Sequence, residues 1–278
     1  MRLDREMTVH LFHPLSKLLN GHREPGVPIL MYHGIEPPCH NGHPYYETST
    51  SPAMFTHHMK YLRENGYSVV DLEDVPQRMV AGHANGKCVA ITFDDGYRNF
   101  YTHAFPVLKE YGFEATLFLP SGLVRNQRLN QAGHEYLTWN EVRELHVNGM
   151  RIGSHTVTHP ALNGIDEAAV EYEIGYSKQT IEDELGTPIR SFSYPFAFPE
   201  RDQKFISRLK ELLHTYGYVC GVSTIIGTAN SKHDWFFLPR IPMNSYDDLR
   251  LFQAKIEGGY NWLHVFQCAS KIAKRGRS

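Results

Sequence analysis

Short apolar runs alternate with segments of helical period along almost the whole chain, and this alternation constrains the fold more than any other feature. The runs are VPILMYH (27–33), YSVVDL (67–72), CVAITF (88–93), ATLFLP (115–120), MRIGSH (150–155), IRSFSYP (189–195) and YVCGVST (218–224). Each is short and mostly apolar, as expected of strands buried on both faces. Between them, Phe55, Met59 and Leu62 fall on one helical face, as do Ala104, Val107, Leu108 and Tyr111. Val170, Ile174, Ile181 and Leu185 form a third stripe, and Phe205, Leu209, Leu212, Leu213 and Tyr216 a fourth. Glycines at 66, 112, 149 and 186 stand where these helices should stop. Alternation of this kind predicts an α/β architecture with a parallel sheet, and seven strand candidates favour a barrel over an open sheet.

The chain has 278 residues and 41% hydrophobic content, enough for one large domain with a sizeable core. Residues 1–25 read as an N-terminal extension ending in HREPGVP, and 26–278 as the barrel domain. A net charge of -2 offers no bulk attraction to nucleic acid or to an anionic surface. The terminal KIAKRGRS is basic and reads as a solvated tail. Four dispersed cysteines (Cys39, Cys88, Cys220, Cys268) make no C-x-x-C pair and fit reduced thiols in a cytoplasmic protein. The first 21 residues lack the uninterrupted apolar core of a signal peptide, and no stretch reaches the length of a membrane span. Cytoplasmic location is therefore the expectation, with export left open. Most of the 17 histidines, such as His10, His13, His22, His40 and His43, lie in polar surroundings expected at the surface.

Parallel barrels gather their chemistry at the C-terminal ends of the strands. There, CVAITF is followed by Asp94-Asp95-Gly96, MRIGS by His155 and His159, VPILMY by His33, and IRSFS by Tyr194-Pro195. Successive residues point in different directions, so one carboxylate of the Asp pair can bind a cation while the other accepts a proton. Histidines four apart can converge on one ion across a helical turn, although Pro160 favours an irregular, rigid segment. Taken singly, D-D-G also suits a solvated turn, and the histidine pair a strand-end cap with a surface histidine. One Asp and two His would leave open positions on the ion for water and substrate. The long polar segments 37–48 and 125–136 read as loops over such a site, where Tyr136 and Trp139 could stack on a sugar or simply pack.

The runs Thr92-Phe93-Asp94-Asp95-Gly96 and His155-Thr156-Val157-Thr158-His159-Pro160 resemble the first two signature motifs of the polysaccharide deacetylases. This is the NodB-homology or carbohydrate esterase 4 family. Arg190-Ser191-Phe192-Ser193-Tyr194-Pro195 resembles the third motif, and the likeness spans roughly residues 26–245. The resemblance implies a single distorted (β/α)7-type barrel and a metal-dependent hydrolase that removes N-acetyl, or O-acetyl, groups from a carbohydrate. It implies Asp94 as general base, oriented by Arg190, with Asp95, His155 and His159 holding the metal. It further implies that the Tyr194 backbone N–H stabilises the oxyanion beside that metal. Such donors suit zinc, and also cobalt, nickel, iron or manganese.

Three departures qualify the likeness. The family's late D-x-x-D-W and L-x-H motifs are missing, Asp234-Trp235 being a displaced match, and Ala197 replaces a glycine. Leu30-Met31-Tyr32-His33 instead resembles the permuted subgroup that acts on poly-N-acetylglucosamine and other exopolysaccharides, which implies His33 as the general acid. Arg240 could pair with the catalytic carboxylates or cap a final strand. The implied partner is an N-acetylated carbohydrate, with no nucleic acid and no membrane span. Two rivals stay open: a hydrolase of a non-sugar C–N bond of cyclic-amide type, and a non-catalytic carbohydrate-binding relative.

Overall fold

A computed structural model of the chain describes residues 2–19, 26–37, 45, 47–80, 87–131 and 133–267. Seven parallel strands close on themselves. They are β1 (Ile29–Tyr32), β2 (Cys88–Phe93), β3 (Thr116–Leu119), β4 (Arg151–Ser154), β5 (Ser191–Ser193), β6 (Cys220–Ile226) and β7 (Leu238–Pro242). Closure comes from β1, which pairs with β2 (Tyr32 opposite Phe93) on one side and with β7 (Leu30 opposite Ile241) on the other. The (β/α)7 barrel expected from the sequence is present, with one exchange of strands. YSVVDL contributes only Ser68–Val69, which pairs outside the ring on Cys88–Val89. Its place is taken by Leu238–Pro242, whose two prolines obscure the strand pattern.

Alternation along each strand sorts side chains into two sets. Leu30, Tyr32, Ile91, Phe93, Leu117, Phe192 and Tyr194 join the core beneath the helices. Ile29, Cys88, Ala90, Phe118, Val222 and Leu238 form a second cluster that fills the barrel. Space inside is tight: a Cβ on Gly153 would come within 2.5 Å of the Phe118 ring. Period-two parity then predicts which residues reach the barrel mouth. Continuing the inward set gives His33, Asp94, His155 and Arg240, whereas Tyr32, Phe93 and Tyr194 face outward.

The surrounding helices carry their own start and stop signals. Ser51, Asp166 and Asp202 accept backbone N–H bonds at the N-termini of helices Pro52–Glu64, Glu167–Leu185 and Gln203–Thr215. Thr138 and Glu141 form a capping box at helix Trp139–Val147. Gly112 and Gly186 take the left-handed conformation that ends two helices. Among the described residues no helix is long and apolar enough to cross a membrane.

The N-terminal residues are helical from Leu3 to Leu19, with a π turn over Thr8–Phe12, and fold back on the C-terminal segment. Phe12 stacks on Trp262 with ring centroids 4.5 Å apart, and the Tyr260 hydroxyl donates to Asp4 at 2.8 Å. A buried charge cluster anchors this return: Asp247 accepts from Arg2 at 3.0 Å and from Lys255 at 2.7 Å. Its carbonyl meets His58 at 2.7 Å, and His58 in turn contacts the Tyr32 hydroxyl at 3.0 Å. The cluster thus reaches the residue before His33. Replacing Asp247 with Ala leaves the buried Lys255 without its ion-pair partner and Arg2 with Asp4 alone, and is expected to cost about 3–5 kcal/mol. A lower urea midpoint at unchanged slope would show this; an unchanged midpoint would mean the cluster is not load-sharing.

Candidate active site

At the C-terminal end of β2 the chain must present two adjacent carboxylates to different partners, and a break in backbone conformation achieves it. Asp94 continues the inward parity of Ala90 and Thr92, and its N–H still bonds the Tyr32 carbonyl at 3.0 Å. Asp95 then turns to φ +72°, with Gly96 following at +65°. The other positive-φ residues outside glycine, among those described, are Thr156, His159 and Phe196. All belong to the loops that follow β2, β4 and β5. Strained backbone of this kind persists only where its surroundings over-determine it, and it concentrates at functional sites.

Asp94 is buried against Arg240, whose guanidinium donates to both carboxylate oxygens at 2.8 and 2.7 Å. Arg240 is itself 0% exposed and fully engaged. It also donates to the Ser223 carbonyl at 3.0 Å, the Ser193 hydroxyl at 3.1 Å and the Thr92 hydroxyl at 3.2 Å. Burial alone would raise the Asp94 pKa, but Arg240 and then His155 outweigh it and hold the carboxyl below its ordinary value. The planar fork of arginine matches a carboxylate in a way a lysine cannot.

Asp95, His155 and His159 converge on one point. The Asp95 Oδ1 lies 3.6 Å from His155 Nε2 and 3.4 Å from His159 Nε2, and the two Nε2 atoms are 3.1 Å apart. Tetrahedral coordination with bonds of about 2.0–2.1 Å would separate its ligand atoms by about 3.3 Å. The donor set and spacing therefore fit a divalent ion. His155 Nδ1 sits 2.8 Å from the Ser193 carbonyl, an acceptor only, so the proton lies on Nδ1 and Nε2 is left free as a ligand. Burial and the neighbouring His155 push His159 down to about 4, which keeps it neutral near pH 7. The same carboxylates raise His155 against the effect of its burial.

The H-x-x-x-H segment is a tight irregular loop rather than a helical turn, as Pro160 suggests. It is held from outside the barrel. Glu173, buried on helix Glu167–Leu185, accepts from the Val157 and Thr158 backbone N–H groups at 2.7 and 2.9 Å and from the Thr158 hydroxyl at 2.6 Å. Thr156 Oγ1 accepts from the His159 N–H at 3.0 Å. Segment 125–136, where described, forms the hairpin Asn130–Gln131/His134–Glu135 and closes on the Asp95-Gly96-Tyr97 turn. The Leu137 N–H bonds the Gly96 carbonyl at 3.0 Å, and Tyr97 stacks on His134 at 4.4 Å. Of the other polar segment expected over the site, 37–48, residues 38–44 with His40 and His43 lie outside the described residues.

The residues singled out in the sequence separate into two groups. His33, Asp94, Asp95, His155, His159 and Arg240 come together, and His33 is near enough to act on the charges of Asp94, Asp95 and His159. Arg190 does not join them. It precedes β5, at the opposite end of the barrel, is exposed, and its charge acts on Glu73. Asp94 is oriented by Arg240 instead. The Tyr194 backbone N–H is also unavailable to an oxyanion, because it donates to the Val222 carbonyl at 3.0 Å. The Tyr194 ring faces outward and packs on Phe198 with centroids 5.0 Å apart. Trp139 is a core residue, and Tyr136 packs beside Tyr97. Ser193, Glu173 and Phe196 escaped sequence reasoning; inward parity after Ser191 would have found Ser193. Phe196, 55% exposed, sets its ring 4.6 Å from that of His159.

A seven-stranded parallel barrel with this group at its mouth has counterparts among known deacetylases. The polysaccharide deacetylase profile matches residues 81–217. The protein YxkH of Bacillus subtilis (strain 168), classed with the polysaccharide deacetylases, is 30% identical over 233 residues, covering 83% of this chain and 76% of its own. A poly-β-1,6-N-acetyl-D-glucosamine N-deacetylase of Staphylococcus aureus (strain MSSA476) is 20% identical over 202 residues, 69% of this chain and 67% of that protein. Among solved structures, Streptococcus pyogenes deacetylase PplD in complex with acetate superposes with a TM-score of 0.72 at 25% identity, covering 84% of this chain and 99% of that one. The chain belongs to the polysaccharide deacetylase family.

The Arg240–Asp94 pair makes a prediction for metal-free protein. Arg240→Met leaves a buried carboxylate without its cation and should cost about 3–5 kcal/mol at neutral pH. In the wild type, Asp94 titrates below its unfolded value, so its stabilisation is complete above pH ~4 and fades as pH falls through the folded value. In the variant, burial without Arg240 raises the Asp94 pKa, and acid relieves the penalty. The gap in urea midpoint between the two should therefore shrink on acidification. A gap constant from pH 7 to 4 would contradict this.

Proposed function

We propose that the protein removes N-acetyl groups from an amino-sugar polymer by metal-assisted hydrolysis, with Asp95, His155 and His159 as the metal ligands. The observation that carries this reading is the division of labour between adjacent carboxylates. Asp95 converges with two imidazoles, while Asp94 is held ionised by Arg240 a short distance away. A bound divalent ion would supply Lewis acidity at the acetyl carbonyl and lower the pKa of a water. Zinc suits the donors best, and cobalt, nickel, iron and manganese share them.

Asp94 takes a proton from the water that attacks the acetyl carbon. Its low pKa keeps it in the basic form at neutral pH, and Arg240 and Ser193 fix its orientation. His33, on the neighbouring strand end, donates a proton to the amine nitrogen as the C–N bond breaks. The products are acetate and a free amine. The oxyanion needs a donor on the loop after β5, and with the Tyr194 N–H engaged and Pro195 lacking one, the next amide is that of Phe196. Among the described residues that amide has no protein acceptor. Likeness to the poly-N-acetylglucosamine N-deacetylase supports an acetylated glucosamine polymer as substrate.

Asp94→Asn should bind metal at wild-type stoichiometry yet lower kcat for acetate release from an N-acetylglucosamine hexamer by about 10²–10⁴-fold. His155→Ala should lose the metal, and a chelator should silence the wild type until metal is restored. Survival of activity in Asp94→Asn removes Asp94 from the role of base. His33→Gln should lower kcat more for an amide than for an activated ester, whose leaving group needs no proton; equal losses would deny His33 the role of acid.

A further inference from the structure

Outside the barrel mouth, the flank of helix Glu167–Leu185 carries a groove that the reaction does not use. Tyr172 and Tyr176, 51% and 49% exposed, lie one turn apart with ring centroids 4.9 Å apart and planes within 15°. Tyr216, just after helix Gln203–Thr215, forms the opposite wall, its hydroxyl donating to Glu171 at 3.1 Å. Gly175 shapes the floor: a Cβ there would meet the Tyr216 ring at 2.5 Å. Glycine inside a helix costs about 1 kcal/mol relative to alanine, so seating that ring against the backbone is obtained against local stability. The resulting groove has a volume of 310 Å³, with Lys178, Gln179 and Glu182 completing its lining.

The chemistry of this lining selects among ligands. Tyr172 and Tyr176 cover one face of each other, so their outer faces and edges, with the Tyr216 ring, offer the apolar surface, while the Glu171 carboxylate and Gln179 amide offer hydrogen bonds at the rim. The one cation, Lys178, is turned away: it donates to Glu182 at 2.6 Å and to the Ile189 carbonyl, and lies over the Tyr218 ring. With two glutamates and an engaged lysine, the groove does not suit a phosphate or another anion. A pyranose fits, because its two faces are C–H surfaces and its edge is a ring of hydroxyl and amide groups. Cationic sugars with a free amine would also be tolerated, by Glu171, since Glu182 is paired with Lys178. The groove shares its helix with the metal-site support, since Glu173, next to Tyr172, accepts from the Val157 and Thr158 amides.

We propose that Tyr172, Tyr176 and Tyr216 form a second carbohydrate-binding site that holds a stretch of the polymer away from the reacting sugar. This rests on the reading of the substrate as a sugar polymer. Holding the chain at a second point raises its effective concentration at the barrel mouth, so long polymers gain and short oligomers do not.

The test uses wild-type protein, Tyr172→Ala/Tyr176→Ala and the bulk-preserving Tyr172→Leu/Tyr176→Leu. With an N-acetylglucosamine hexamer as probe, the ring resonances of Tyr172, Tyr176 and Tyr216 should shift and saturate in the wild type. Both double variants should weaken binding at the groove by about threefold to tenfold. KM for long acetylated polymer should rise by a similar factor, with kcat on a trimer unchanged. Ring resonances unmoved up to the solubility limit of the hexamer, or an unchanged KM for polymer in both variants, would overturn the proposal. Ring shifts in a wild type that releases no acetate would support the groove while sinking the deacetylation reading, so the two failures are distinguishable.

Discussion

A single buried ion pair, Arg240 with Asp94, governs the arrangement of the site. Its guanidinium fills the upper barrel above Phe118 and ties together three strand ends through Ser223, Thr92 and Ser193. Two ions taken out of water are costly, and their attraction offsets that cost only where the remaining hydrogen bonds are also made. Here Arg240 is satisfied on every side. The pair does not serve stability best, since an apolar plug would fill the same space. What it supplies is a carboxylate that stays ionised in a buried place.

The rest of the centre is built around that fixed point. Asp95 must leave the strand at once to reach the imidazoles, and its left-handed backbone does so. His155 inherits inward parity from Gly153, and Ser193 serves twice: its hydroxyl bonds Asp94 and its carbonyl orients His155. His159 lies beyond the reach of strand geometry, so its loop is braced by Glu173 from the helical layer. Asp94 and the Asp95–His155–His159 group are thereby set by different parts of the fold, which in the proposed reaction frees one carboxylate for proton transfer and the other for coordination.

Much of this was legible in the sequence because it follows from period and parity. Apolar runs alternating with helical stripes predict the barrel, and D-D after a buried strand predicts two carboxylates that face different partners, as Asp94 on Arg240 and Asp95 beside the imidazoles do. The misreadings share a cause. Motif resemblance puts Arg190 beside Asp94, yet a residue that precedes a parallel strand emerges at the opposite end from one that follows it. Arg240 reaches Asp94 from inside β7, a strand masked by Pro239 and Pro242. The resemblance implies a free N–H at Tyr194, which instead still belongs to the ladder, bonded to Val222. Contacts such as Glu173 to the 157–158 amides depend on how a helix packs on a loop, which no local pattern encodes.

In the proposed centre, metal and base fall to adjacent but separate carboxylates. Anomalous scattering from crystals of metal-loaded protein, measured at the absorption edge of the ion, tests it most directly. One peak is predicted at about 2.0–2.2 Å from Asp95 Oδ1, His155 Nε2 and His159 Nε2, with Asp94 remaining on Arg240. A peak ligated by Asp94, or an ordered ion that bypasses either histidine, would contradict it.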